Sequence, residues 1–479
     1  MPLILPGNVA AATAATTYNA ANSCRFDDGD SAGMHKAMGT PSDQDKWTFS
    51  CWFKRGNVIT GATAYLLSTY VDGSNDSAIR IESNDKLSFY NFTSSSYAGR
   101  QRTNTLFRDP AAWYHLVCTY DSGNATAAHR MRMYINGVEE TSFDVETNPA
   151  EDEDSHINKA STTISLAAQW NGSAMGEEYD GYIAEVYFCD GQAYAASDFG
   201  EFDEDSPTMW KAKDASGLTF GTNGFYLDFE ASANLGNEAN GGTDLTEVNV
   251  AATDQAVDTP TNNFCVLNPL DNYYAGAAFT EGNTVTTRGT NNAPGTSTIG
   301  LSAGKWYCEA KYISGDYAQV GITDYIATAT GDELGGTANS WSLQQFDGQG
   351  YRNNNSNTEW GTEGYSANDI ISIALDLTNS KLYFAINGTW EESGDPTSGA
   401  TGTGALSITA VGSTEQGLYF IACGDYDDTG GAVWQMNFGN PTYANSSDAA
   451  DANGYGAFEY APPSGYLAIC TKNLGSDGG

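Results

Sequence analysis

Three stretches of the chain combine aromatic rings with amides and acids, the composition of a sugar-binding surface. QWNGS (Gln169 to Ser173) carries Trp170, and NGTWEESGD surrounds Trp390. The third, Trp341 to Trp360, reads WSLQQFDGQGYRNNNSNTEW and holds Trp341, Tyr351, Arg352, Asn354 and Trp360, with Asn at 353, 354, 355 and 357. Sugar faces stack on aromatic rings, and their hydroxyls demand paired hydrogen bonds at the ring edges. The 341–360 stretch concentrates both and is the leading candidate. The competing reading makes Trp341 and Tyr351 core residues of strands.

A second chemistry is cation binding, because hard divalent ions take clustered oxygen ligands on loops. GDYDDTGG offers Asp425, Asp427 and Asp428, and FDDGD offers Asp27, Asp28 and Asp30. Neither matches an EF-hand loop, and Asp-Gly turns also occur with no ion. Calcium is therefore an optional ligand, and no cofactor is required.

Catalysis finds less support. A glycosidase needs two carboxylates facing across a cleft, and E-x-D-x-E on one strand supplies them because period two puts alternate residues on one face. The nearest run, EDEDS from Glu151, lacks that alternation and reads as a solvated loop. Glu177, Glu178 and Asp180 form an acidic edge cluster before the strand GYIAEVYF. No two of the four histidines (His35, His115, His129, His156) lie at metal-ligand spacing, and His115 reads as a packed strand residue. There is no G-x-S-x-G and no Walker loop. The chain is expected not to be an enzyme.

The elements that must position these residues are strands. MRMYINGVEE (Met131 to Glu140) and LYFAINGTWE (Leu382 to Glu391) each close an apolar run on Asn-Gly, the strongest short hairpin signal. At period two Met131, Met133 and Ile135 oppose Arg132 and Tyr134, and Leu382, Phe384 and Ile386 oppose Lys381 and Tyr383, so one face of each strand goes to a core and one toward solvent. Further strands read as KWTFSCWFKRG, WYHLVCTY and GYIAEVYFCDG in the first half, and GKWYCEAKYI, ISIALDL and VWQMNFG in the second. With 479 residues, 53 Gly and no sustained helical period, the chain reads as all-β, in two antiparallel β-sandwiches.

The charge is extreme: 21 basic against 60 acidic residues, a net −39. Both halves share it, with 15 basic and 35 acidic residues in 1–250 and 6 and 25 in 251–479. Such surfaces repel nucleic acid and anionic membranes, and no apolar run is long enough to span a bilayer. The acidity suits a protein kept soluble in a salty medium, where screening removes most self-repulsion. MPLILPGNVAAATAATT has no positive n-region and a short apolar run broken by Pro6, so no signal peptide is expected. The eight cysteines form no C-x-x-C pair and read as buried thiols acting as small hydrophobes.

The motifs W-T-F-S-C-W-F, W-Y-H-L-V, M-Y-I-N-G-V-E and D-G-Y-I-A-E-V-Y-F, in that order, resemble the laminin-G-like, concanavalin-A-like jelly roll. G-K-W-Y-x-E, V-G-I, D-x-I-x-I-A-L-D-L with L-Y-F-x-x-N-G, and a late N-F-G resemble a SPRY-like sandwich. The expected organisation is an N-terminal arm over 1–24, the jelly roll over 25–250, a linker over 251–265 and the SPRY-like sandwich over 266–479. FRDPAAWYH, DGQAYAASDFGEFD, DTPTN followed by LNPL, and APPSGYLAICTKNL further resemble a tailed-phage family, common in marine viruses, that carries this tandem. Cys308, where an aromatic is common, and the terminal GSDGG depart from it.

The resemblance implies a virion protein of tail-fibre or capsid-surface type, made in the host cytoplasm and released by lysis. Its implied partners are other virion proteins and host-surface glycans, in a homo-oligomer of which a trimer is the form a fibre would need. Calcium at a sandwich rim is a further implication of the laminin-G-like likeness. The alternatives are a head decoration, a secreted glycan-active enzyme, or an adhesion ectodomain glycosylated at sequons such as Asn91 and Asn171.

Overall fold

The computed structural model describes residues 18–477 except 57, 59–60, 272–275, 289–293, 327–332, 346–349, 359, 362–363 and 427–430. The chain divides into two compact units, Ala14–Thr261 and Asn262–Gly479. Each is built on two large, mainly antiparallel sheets that enclose its own apolar cluster. No helix among the described residues is long and apolar enough to cross a membrane.

In the first unit the back sheet runs, strand beside strand, Val138–Glu139, Met131–Ile135, Trp113–Asp121, Lys46–Arg55, Gly181–Asp190, Ser23–Phe26 and Gln255–Ala256, with Phe225–Leu227 also paired to Gly181–Asp190. The front sheet runs Phe143–Thr147, Ser96–Leu106, Lys86–Thr93, Asn75–Ile81, Ala64–Asp72, Thr163–Leu166, Gly33–Ala37 and Thr246–Val248. Alternation builds the core between them. Trp47, Phe49, Cys51 and Phe53 of one strand meet Ile79, Ile81, Leu87 and Phe89 of the other sheet in one buried cluster, each large side chain worth about 1.5–3 kcal/mol of burial. The Asn-Gly turn behaves as its residues require: Asn136 and Gly137 both take positive φ, 48° and 78°, joining Ile135 to Val138.

The back sheet's outer face is solvated only in part, contrary to a simple alternation. Residues between Tyr194 and Ala239 fold over it, packing Phe199, Ala215 and Tyr226 onto Val117, Tyr187 and Cys189. Trp210 packs beside Trp52 and Ala184. His115 is caught there as a packed residue. The Trp210 indole N–H, which can only donate, bonds His115 Nδ1 at 2.9 Å, so Nε2 carries the proton offered to Ser50 Oγ at 2.9 Å. Burial pushes the ring's pKa down to about 3, which keeps it neutral.

Two boundaries differ from expectation. Ser23 and Cys24, read as arm, belong to a strand because they pair with Gly181–Asp190 through Cys24 and with Gln255–Ala256 through both. The supposed linker is likewise built in: Gln255 and Ala256 close that sheet, and Asp258 is fully buried. Its Pro and polar residues suggested exposure, but a buried cation awaits Asp258, since Lys54 Nζ lies 2.7 Å from its Oδ2.

The second unit pairs a nine-stranded sheet, whose central members are Val433–Asn437, Lys305–Ser314, Ile370–Asp376 and Lys381–Ile386, with a six-stranded one centred on Phe420–Asp425, Ala318–Thr323 and Ser340–Gln344. Asn387 and Gly388 repeat the turn geometry at φ 50° and 78°. Tyr383, expected toward solvent, is buried because Trp390 packs edge-on against it. The acid of the K-W-Y-C-E strand ties the late chain to the sheet. Glu309 accepts the backbone N–H of Glu459 (3.0 Å) and Tyr460 (2.8 Å) and the Asn437 amide (3.1 Å). All eight cysteines are buried thiols.

Candidate functional site

The first unit's front sheet carries chemistry on the face turned away from the core. Leu67, Ile79 and Phe89 point inward, so their strand neighbours point out. The register then aligns one row across all eight strands: Thr246, His35, Ser165, Ser68, Ala78, Tyr90, Arg100 and Thr147. A parallel row holds Tyr65, Arg80, Ser88, Arg102 and Val145.

One end of this face is an aromatic step. Trp170 stacks on His35 with ring centroids 4.2 Å apart and planes 9° from parallel, both half-buried. Its loop is folded back over the sheet: the Trp170 N–H donates to Ser165 Oγ at 3.1 Å, and Ser68 Oγ donates to the Ala168 carbonyl at 3.2 Å. Asn171 holds the tip by accepting the N–H groups of Ser173 (3.0 Å) and Ala174 (3.1 Å).

The other end, four strand spacings or about 19 Å away, is a layer of guanidinium on phenol. Arg80 lies over the rings of Tyr90 (4.7 Å) and Tyr65 (5.5 Å), and Arg100 over Tyr97 (4.4 Å). Glu82 accepts from Arg80 (3.3 Å), Arg100 (2.5 Å) and Arg102 (3.0 Å). Burial would raise the Glu82 pKa, but the three guanidiniums override it and hold the carboxyl below its usual range. Hydrogen bonds from Arg102 and Lys86 hold Asp144 at about 2. Tyr90 donates to Asp76 at 2.5 Å. Four cations thus meet three acids on a chain of net charge −39. The Nε donors of Arg80 and Arg100 have no acceptor among the described residues. Tyr65 and Tyr90 are themselves buried beneath the guanidiniums, so this end presents outward the exposed Tyr97 ring, partly exposed guanidinium donors and a local excess of positive charge.

A separate oxygen cluster lies elsewhere in the unit. Carboxylate oxygens of Asp27, Asp28 and Asp180 come within 4.8 Å of one another, with Asp27 and Asp180 buried. Burial and then the Asp27 charge raise the Asp28 pKa. Three hard oxygen ligands in mutual repulsion suit a divalent cation. Asp30, expected to join Asp27 and Asp28, is exposed and outside the cluster. Asp180 replaces it because the strand beginning at Gly181 pairs with Phe26.

With these features located, comparison with known families is informative. Residues 27–196 match Laminin_G_3, described as the Concanavalin A-like lectin/glucanases superfamily, and residues 304–425 match the SPRY domain. The chain carries a concanavalin A-like domain followed by a SPRY domain. Solved structures of similar fold include the SPRY domain of human HERC1, at 13% identity and TM-score 0.25, covering 32% of this chain and 87% of that one. The heptameric SAP-like pentraxin from Limulus polyphemus matches at 14% and 0.28, covering 37% and 80%. Domain 4 of AbnA, a GH43 extracellular arabinanase from Geobacillus stearothermophilus in complex with arabinotriose, matches at 19% and 0.25, covering 34% and 68%. No curated protein matches the chain.

The SPRY domain disperses the residues its sequence had grouped. Trp341 is 5% exposed and packs edge-on against Tyr419 in the core, so it offers no face to a ligand. Arg352 is buried, bonded to Glu333 and Asn355 and laid 4.6 Å over Tyr426, which makes it a clasp between loops. Tyr351 and Trp360 meet edge to face at 6.2 Å on the core's margin, half-buried. Asn354 is exposed at a turn with φ 50°, and Trp390 is half-buried on Tyr383. Asp425 is fully buried and accepts the Ala432 N–H at 2.8 Å, closing its own loop. Asp427 and Asp428 lie outside the described residues.

Of the glycan-binding candidates, Trp170 sits on this face of the concanavalin A-like domain, stacked on His35, which had been weighed only as a metal ligand. Arg80, Arg100, Arg102, Tyr90 and Tyr97 were missed there. Part of their signal was present in the alternation of AIRIES, FYNF and GRQRTN, which sets Arg80 between Ile79 and Ile81, Tyr90 after Phe89, and Arg100 and Arg102 on one face with Gln101 on the other.

Proposed function

We propose that the chain recognises glycans, as a non-enzymatic component exposed on a tailed-phage virion. The observation carrying this reading is the outward face of the concanavalin A-like domain, where Trp170 on His35 stands at one end and the partly exposed Arg80, Arg100 and Arg102, with Tyr97, stand at the other, on either side of the buried Ser165, Ser68 and Ala78. Flat rings supply stacking, and guanidiniums supply donors that favour sugars bearing carboxylate or sulfate groups. The acids on the face are already engaged, Glu82 and Asp144 with cations and Asp76 with Tyr90, which supports binding over hydrolysis. The virion assignment rests on the phage-like motifs and on the acidic, salt-tolerant composition. A tail fibre would use the domain for attachment, in a trimer; a capsid fitting would use it as decoration.

On an array of acidic and neutral glycans, the intact chain should bind acidic ones, more weakly as salt rises. Arg100→Ala and Trp170→Ala should each lower that binding about tenfold or more, the effect of losing one charge-assisted hydrogen bond or one stacking platform. Unchanged binding in both variants would remove the face from the reading. Electron cryomicroscopy of the parent particle would separate tail from capsid by the position of the chain.

Calcium, if used, belongs at Asp27, Asp28 and Asp180, where it would relieve the repulsion among three carboxylates. A ligand at a hundredfold above its dissociation constant adds about 2.7 kcal/mol, a rise of several degrees in a domain of this size. Thermal melts should therefore rise with calcium and fall with chelator, and Asp180→Asn should abolish the difference. A melting temperature indifferent to chelation rejects the site.

A further inference from the structure

The concanavalin A-like domain has a concavity on its other sheet. Between the turn that follows Asp121 and the segment Ala193–Ala195 lies a pocket of about 200 Å³. Asp121, Asn124, Arg132, Tyr134 and Tyr194 line it. Ligand pockets for drug-sized molecules run to roughly 300–1,000 Å³, so this one has room for a single ring.

Its walls are fixed before any ligand arrives. Arg132 and Tyr134 are alternate residues of one strand, on the face opposite the buried Met131 and Met133. Tyr194 is held at both ends: its hydroxyl accepts the Thr219 N–H at 3.0 Å, and its carbonyl accepts Thr119 Oγ1 at 3.1 Å. The polar groups are only partly satisfied: Asn124 Oδ1 accepts the Thr126 N–H at 3.0 Å, but the other contacts are longer. Asn124 Nδ2 reaches Asp121 Oδ2 only at 3.4 Å, and Lys46 Nζ stands 3.5 Å from Oδ1. Arg132 touches the Tyr134 hydroxyl at 3.3 Å and Glu139 at 3.6 Å, and its buried Nε has no hydrogen-bond acceptor among the described residues.

The pocket therefore combines an acceptor pair, an amide and a guanidinium donor with two phenol rings, in the volume of one ring. Adjacent hydroxyls need that mixture, since each both donates and accepts. Asp121 and Arg132 cancel in charge, which favours a neutral ligand over an acidic one. We infer that this pocket binds one neutral sugar ring, either a free monosaccharide or the terminal residue of a longer glycan. The inference shares its ligand class with the proposed function and stands on a different surface, with its own residues.

Saturation-transfer NMR on the full chain, with glucose, galactose, mannose and N-acetylglucosamine as probes, tests it. At least one should receive saturation, and Asp121→Asn and Asn124→Ala should each weaken its affinity about tenfold. Ala193→Trp fills the pocket from an exposed position without removing a polar group, and should also abolish the signal. Repeating the experiment with the preferred sugar at the end of an oligosaccharide separates the two sources: equal affinity marks a terminal-residue site, and loss of binding marks a free-sugar site. No saturation of any probe, or saturation unchanged in all three variants, overturns the inference. In the parent chain, absent monosaccharide binding with retained binding to acidic glycans would overturn the pocket alone. Monosaccharide binding without acidic-glycan binding would overturn the front-sheet face alone.

Discussion

Asp258→Ala should cost the concanavalin A-like domain about 3–5 kcal/mol, the usual penalty for stranding one member of a buried ion pair. Lys54 and Asp258 both have fully buried side chains, 2.7 Å apart, and the Trp113 indole N–H donates to the second carboxylate oxygen at 3.0 Å. Removing the carboxylate leaves an ammonium inside the protein with its main counter-charge gone. Domains of ordinary stability hold about 5–15 kcal/mol in all, so the loss is a large share. In urea the transition of the full chain assigned to this domain should move to a lower midpoint with its slope unchanged. Replacing both partners together, Lys54→Met with Asp258→Leu, should cost far less, because no charge is then stranded. If the single and double variants unfold alike, the pair is not what holds this segment to the back sheet.

The same domain should lose about 3 kcal/mol as pH rises from about 4.5 to about 7, through Glu185 alone. Its carboxylate sits at a break in register between Ala184 and Tyr187, with φ 51°, and is 3% exposed. Tyr187 (2.6 Å), Tyr18 (2.7 Å) and Tyr226 (3.1 Å) all donate to one oxygen, Oε2. Burial outweighs these three donors and pushes the pKa up from 4.5 to about 7. The sign follows directly. The folded domain holds this proton more tightly than the unfolded chain, so the contribution is intact below pH 4.5 and lost as pH climbs through 7. Glu185→Gln keeps the shape and removes the titration. The difference in stability between variant and parent should therefore change with pH over that interval, and should be flat on either side. A difference independent of pH would mean that the phenols keep the carboxylate ionised.

Local patterns in the sequence carried most of the fold. Both Asn-Gly turns, the alternation of Met131 and Met133 against Arg132, and the tandem of two sandwiches follow from spacings of two to ten residues. The site was less legible, because its parts come from far apart. Asp180 reaches Asp27 and Asp28 only through pairing of strands about 150 residues distant in sequence. The row from His35 to Arg100 needs the register of six strands to be known at once. Trp341 misled for a physical reason: an aromatic in a polar stretch satisfies a sugar platform and a strand's inward position equally well, and only the alternation of Trp341 and Leu343 inward with Ser342 distinguishes them.

The buried thiols give each domain an internal clock. Cys24, Cys51, Cys118 and Cys189 lie in the first unit, and Cys265, Cys308, Cys423 and Cys470 in the second. Burial raises the pKa of Cys118 and Cys308 well above the ordinary thiol value, so the reactive thiolate is scarce even when a reagent gets near. Alkylation must then wait for strands to part, and its rate at each position counts those openings. Mass spectrometry of a native chain under slow alkylation would read the lifetimes of the two sandwiches separately, with no label introduced.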